Sequence, residues 1–132
     1  MVLVDTSVWV DVFRDTTGRR ASRLRKAVAE EEIVLARFNQ LELLQGCRDE
    51  REWGLLHSYL EDQEYLEMRP DSWQDAARLY FDLRRNGRTV RSPIDCCIAQ
   101  LAMDYNALLL HRDVDFETIA KSRPLRQLRM AW

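Results

Sequence analysis

Five carboxylates stand at positions where a folded chain could use them for chemistry: Asp5, Glu42, Asp95, Asp113 and Asp115. Asp5 closes the apolar run Val2-Leu3-Val4, and Asp113 and Asp115 come shortly after the apolar run Ala107–Leu110. Runs of this kind read as buried strands, and open α/β sheets bind ligands beyond the carboxyl ends of their strands. In Ser92-Pro93-Ile94-Asp95, Ser92 can cap a helix whose first residue is Pro93. Asp95 then shares a face with the small apolar residues Ile98, Ala99 and Ala102. An unpaired carboxylate packed there would be desolvated and hard to ionise, a conflict that a cation removes. Glu42 sits beside Leu41 and Leu44 in Leu41-Glu42-Leu43-Leu44-Gln45-Gly46. Each acid also has a plainer reading. Asp5 and Asp113 are good N-caps, Asp95 can complete a variant capping box, and Glu42 can be an ordinary boundary residue. Jointly they have one economical explanation. Hard cations such as Mg²⁺ or Mn²⁺ take oxygen ligands. A site of that kind can polarise a phosphodiester oxygen, lower the pKa of a water and stabilise a leaving oxygen.

These acids are far apart in sequence, so the elements between them must bring them together. The pattern alternates short apolar strands with helices. Strands are expected at 2–4, 33–35, 65–68 and 107–110, with a fifth at 127–131. Helices are expected over 6–13, 19–30, from Asn39 through Leu41, Leu44 and Cys47, over 50–61, from Asp71 or Ser72 to Arg85, from Ser92 to Tyr105, and from Asp113 to about 122. Such alternation predicts an α/β fold, a parallel sheet covered by helices on both faces. The chain has 132 residues, the size of one ordinary domain, and residues 1–132 are read as a single unit. Hydrophobic residues make up 46% and charged residues 32%, a composition that excludes a disordered chain. No apolar run reaches the roughly 18 residues of a membrane span, and no leader is evident. Three cysteines, two of them adjacent, make a poor disulfide framework, which points to reduced thiols and a cytoplasmic setting.

Twenty basic residues against 22 acidic ones leave a net charge of −2, so the total predicts no polyanionic partner. The distribution is more informative. Only Lys26 and Lys121 are lysines, and the arginines Arg84, Arg85, Arg88 and Arg91 crowd a stretch free of acids just before Asp95. Arg112 stands directly before Asp113. Arginine suits bidentate phosphate contact, so Arg85, Arg88 and Arg112 are candidates to hold phosphate groups. The plainer reading is a helix end that favours positive charge and a solvated loop. Trp9, Trp53 and Trp73 are expected in the core or in subunit contacts. Cys96 and Cys97 are expected to pack. Phosphoryl transfer through Asp5 is a competing class, but it wants a lysine near the phosphoryl group, and neither lysine follows a strand.

The segments VLVDTSVWVDVF (2–13), LELLQG (41–46), RSPIDCCIAQLA (91–102) and HRDVDF (111–116) together resemble the PIN-domain ribonucleases, specifically the VapC toxins of bacterial toxin–antitoxin pairs. The resemblance covers nearly the whole chain. It implies a PIN-like fold with a parallel sheet of about five strands between helices. Asp5, Glu42, Asp95 and Asp113 match the family's acidic quartet, with Asp5, Asp95 and Asp113 as metal ligands. Asp115 would be an extra ligand or a support, and Thr6 and Ser7 would support Asp5 from behind. The implied reaction is Mg²⁺-dependent cleavage of RNA by a metal-activated water, with Mn²⁺ as a possible substitute. The implied partners are a VapB-like antitoxin and a second copy of the chain, in a heterotetramer or larger assembly with the antitoxin. His111 departs from the Thr or Ser frequent there. It reads as a tolerated neighbour on the rim, or as a residue that tunes metal choice or binds phosphate. A non-catalytic PIN-like binding module is the alternative, and retention of all four acids argues against it.

Overall fold

A computed structural model describes all 132 residues of the chain. Five short strands, β1 (Val2–Val4), β2 (Ile33–Ala36), β3 (Glu64–Leu66), β4 (Leu108–His111) and β5 (Gln127–Arg129), form one sheet in the order β3-β2-β1-β4-β5. Every pairing is parallel; Val2 lies opposite Ile33 on one side and Leu108 on the other. Seven helices connect and cover the strands: α1 (Thr6–Arg14), α2 (Arg19–Val28), α3 (Arg37–Gln45), α4 (Glu50–Glu61), α5 (Pro70–Arg85), α6 (Pro93–Asp104) and α7 (Val114–Ala120). None is long and apolar enough to cross a membrane.

The three inner strands β1, β2 and β4 are apolar at consecutive positions because both faces of the sheet are buried there, whereas the edge strands β3 and β5 carry polar residues. Successive side chains point to opposite faces, and the core divides accordingly. Leu3, Val34, Ala36 and Leu109 face a cluster with Ala76, Leu79 and Leu83 of α5, Ile98, Leu101 and Ala102 of α6, and Phe116 and Ile119 of α7. Val2, Val4, Leu35 and Leu110 face the other way, toward Val8 and Trp9 of α1, Leu24 and Val28 of α2, Leu43 of α3 and Leu60 of α4. Cys96 packs fully buried in the first cluster, and all three cysteines are free thiols.

The expected elements are present, with shifted boundaries. α3 begins at Arg37, two residues before Asn39, because the Asn39 side chain reaches back to accept the Ala36 N–H from inside the first turn (2.8 Å). Leu43 of α3 is buried and Leu44 packs partly against the core, while Leu41 is 56% exposed. α5 begins at Pro70, and Ser72 plays the same reaching-back role toward the Arg69 N–H (3.1 Å). Trp53 and Trp73 are exposed, whereas Trp9 is buried. β3 stops at Leu66, short of the expected Met68, and α7 stops at Ala120.

The sheet order has a consequence for function. From β1 the chain builds outward through β2 and β3, then returns to the other flank of β1 with β4 and β5. The reversal falls between β1 and β4. The crevice beyond their carboxyl ends is where a parallel sheet of this type binds ligands.

Candidate active site

Asp5 directly follows β1 and caps α1: its Oδ2 accepts the Ser7 N–H (3.0 Å) and the Ser7 hydroxyl (2.6 Å). The Ser7 Oγ in turn accepts the Arg112 N–H (3.0 Å), and the Asp5 N–H donates to the Leu110 carbonyl (2.9 Å). The ends of β1 and β4 are thus stitched together at the acid. Asp113 follows β4 and caps α7, its Oδ1 accepting the Asp115 N–H (2.9 Å). Capping and function are therefore not exclusive here. The residues that end the strands and start the helices are the ones delivered to the crevice.

Asp95 enters from α6, where Ser92 is the cap and accepts the Ile94 N–H (3.1 Å). Carboxylate oxygens of Asp95, Asp113 and Asp115 lie within 4.8 Å of one another. Glu42 comes from α3 and accepts the Thr6 hydroxyl (3.0 Å), while Thr6 Oγ1 accepts from Asn39 Nδ2 (3.0 Å). Asn39 is fully buried and is the support that sequence reasoning missed. The available signal was its spacing: Asn39 and Glu42 are three residues apart and share a helix face.

The electrostatics follow from this crowding. Burial pushes the Asp95 carboxyl up to about 7, and the charges of Asp113, Asp5, Asp115 and Glu42 all push the same way. Asp5 is raised chiefly by burial, against the Ser7 hydrogen bonds that lower it. Glu42 is raised by burial and by the charge of Asp5, and the Thr6 hydroxyl opposes this. Part of the repulsion is met by the positive N-terminal ends of α1, α6 and α7, which converge on the acids. The chain brings a single cation to the cluster. Arg91 Nη2 contacts Asp113 Oδ2 (2.7 Å), and its Nε contacts Asp115 Oδ2 (3.1 Å).

Three of the acids form the tightest group, and Asp5 lies beside it. Asp115 joins Asp95 and Asp113 in the close triad, and Asp5 stands outside it because its carboxylate is turned to Ser7. Asp5 remains near enough for its charge to act on Asp95. The donor set, all carboxylate oxygens with no thiolate or imidazole in the triad, suits a hard divalent cation. The mutual repulsion of the acids gives them a need for one.

His111 is not on the rim. It is fully buried, accepts the Asp113 N–H at Nδ1 (3.0 Å) and pairs through Nε2 with Gln127 Oε1 (2.6 Å). With Nδ1 accepting, Nε2 carries the proton. Both ring nitrogens are thus engaged within the protein, and the ring orients the Asp113 backbone. Arg112 is also committed elsewhere. Its Nε pairs with Asp11 (2.8 Å), its Nη1 donates to the Met130 carbonyl (2.8 Å), and its guanidinium lies over the Trp132 ring. Of the three candidate arginines, Arg112 is the one with a carboxylate partner. Arg85 lies over the Phe81 ring and Arg88 donates to the Ser122 hydroxyl, and both are exposed.

Comparison with known proteins matches residues 2–122 to the PIN domain. The chain is 36% identical over 124 residues to ribonuclease VapC11 of Mycobacterium tuberculosis and to VapC ribonuclease Mb1587 of Mycobacterium bovis, covering 92% of each chain. Among solved structures it is similar to VapBC2 from Rickettsia felis bound to a promoter DNA fragment, with a TM-score of 0.81 at 18% identity, covering 99% of this chain and 100% of that one. It is also similar to Mycobacterium tuberculosis VapC20, a sarcin–ricin loop cleaving toxin, with a TM-score of 0.64 at 17% identity over 89% of this chain and 94% of that one.

Proposed function

The chain belongs to the PIN-domain family and to its VapC branch, and from that premise we propose that it is a metal-dependent endoribonuclease toxin. Its substrate is RNA, its cofactor Mg²⁺ with Mn²⁺ as substitute, and its inhibitor a VapB-type antitoxin. The observation that carries the reading is the convergence of Asp5, Glu42, Asp95, Asp113 and Asp115 on one crevice, with Arg91 as the one cation paired to any of them.

Asp95, Asp113 and Asp115 would hold the ion, with Asp5 and Glu42 completing the acidic wall. A bound Mg²⁺ would supply Lewis-acid polarisation of the phosphodiester and a more acidic water. The chain's own residues do the positioning. Ser7 fixes Asp5, Thr6 and Asn39 fix Glu42, and His111 fixes the backbone of Asp113. Arg85 and Arg88, exposed and free of carboxylate partners, are the residues proposed to meet backbone phosphates. Replacing both with glutamine should weaken RNA binding and flatten its dependence on salt. Unchanged binding at low salt would remove them from that role.

Assembly as a homodimer belongs to the same reading. Leu41 and Trp73, 56% and 54% exposed, flank an apolar groove lined by Phe38, Leu66 and Met68, the surface that a second copy would cover. The cytoplasm is the compartment in which such a toxin meets RNA.

The decisive experiment incubates structured RNA with the protein in Mg²⁺, in EDTA, and as Asp5→Asn or Asp95→Asn. Cleavage should require the ion and fall by about 10²-fold or more in either variant, given the several kcal/mol such a centre supplies. Equal cleavage by wild type and Asp5→Asn would sink the assignment.

A further inference from the structure

We infer that Arg91 is the chain's own counter-cation for the acidic cluster, and that a divalent cation must displace its guanidinium from Asp113 and Asp115 to load the site. Arg91 would thereby set metal affinity. The inference rests on the metal reading above.

Arg91 approaches the acids in two ways. Its backbone N–H donates to Asp115 Oδ2 (3.1 Å), while the side chain forks between Asp115 Oδ2 and Asp113 Oδ2. The backbone is anchored: Val90 beside it is buried in the core, and Ser92 after it caps α6. The side chain is not anchored, with 74% of it open to solvent and no other partner. The guanidinium can therefore leave without moving the loop.

The two sides of the exchange want the same atoms. Asp113 has already committed Oδ1 to the Asp115 N–H, so Oδ2, the oxygen Arg91 holds, is its free ligand atom. Hard cations sit at about 2.1 Å from carboxylate oxygen. Two positive charges on one carboxylate repel strongly where water is partly excluded, and the side chains of Asp113 and Asp115 are only 18% and 9% exposed. Binding of the ion and pairing with Arg91 are then negatively coupled, and the coupling is reciprocal. Asp95, Asp5 and Glu42 have no basic partner to give up, so the cost of loading falls on this one residue.

The test is Mn²⁺ titration by calorimetry on the full chain, at matched ionic strength, for wild type, Arg91→Gln and Arg91→Lys. Arg91→Gln should bind Mn²⁺ about fivefold more tightly, the scale of a partly exposed ion pair, and Arg91→Lys should fall between. Independently of any variant, the Arg91 Nε–H resonance of the wild type should shift and exchange faster with water at saturating Mg²⁺. Unchanged or weaker Mn²⁺ binding in Arg91→Gln overturns the inference, as does an Arg91 Nε–H signal that Mg²⁺ leaves in place. Absence of Mn²⁺ binding in all three proteins overturns the metal reading itself, and the exchange with it.

Discussion

At Asp95 burial and four neighbouring acids oppose ionisation, and the carboxylate has no hydrogen bond to offset them. Its folded-state pKa of about 7 lies above the ordinary 3.8. The folded chain therefore holds a proton that the unfolded chain releases, and metal-free stability should fall as pH rises from about 4 to 7. Thermal melts in EDTA across that range should show the decline, and Asp95→Asn should flatten it. A melting temperature that rises over the same window would contradict this account. His111 makes a second prediction. His111→Leu leaves the Asp113 N–H and Gln127 without partners in a buried place, a cost of about 1–3 kcal/mol, and urea denaturation would read it. Asp5, Asp113 and Asp115 were legible in the sequence because they follow apolar runs closely, and Asp95 because it shares a helix face with small apolar residues. Their grouping was not. Whether Asp5 or Asp115 joins Asp95 and Asp113 depends on which backbone N–H each carboxylate turns to. The reach of Arg91 to Asp113 and Asp115 is a contact across more than twenty residues that no local pattern encodes.

Helix starts carry the site at the next scale. α1, α6 and α7 each open beside an acid, and each is capped by a short polar side chain, that of Asp5, Ser92 or Asp113. Ser92→Ala removes a cap without touching an acid. It should cost about 0.5–2 kcal/mol and loosen the first turn of α6, the turn that carries Asp95. Hydrogen exchange at Ile94 N–H, the capped amide, would report the change and separate it from loss at the other helices. Ser92 and Asp113 were readable as caps because Pro93 and the preceding strand fix where each helix must begin. α3 was misplaced by two residues. Asparagine is a favoured N-cap, but the same side chain can cap from the third helical position when the preceding strand runs straight into the helix, as Ala36 does.

For the molecule as a whole, β1 is the keystone. It lies at the centre of the sheet, buried on both faces, and ends in Asp5. Leu3 is fully buried against α6 and α7 in the larger core cluster, so Leu3→Ala should cost about 2–5 kcal/mol, measured as a lower unfolding midpoint in urea. The α/β architecture was legible because apolar runs too short for helices alternate with longer stretches of helical period. Strand order follows from contacts between distant segments.

That order also sets a timetable. Val2 pairs with Leu108, so the first strand made waits for the fourth before its far edge is closed. At about 5–20 residues per second of synthesis, the intervening segment takes roughly five to twenty seconds to appear. Until then the chain carries Asp5 and Glu42 but neither Asp113 nor the strand that presents it. The acidic crevice is therefore among the last parts of the molecule to be completed.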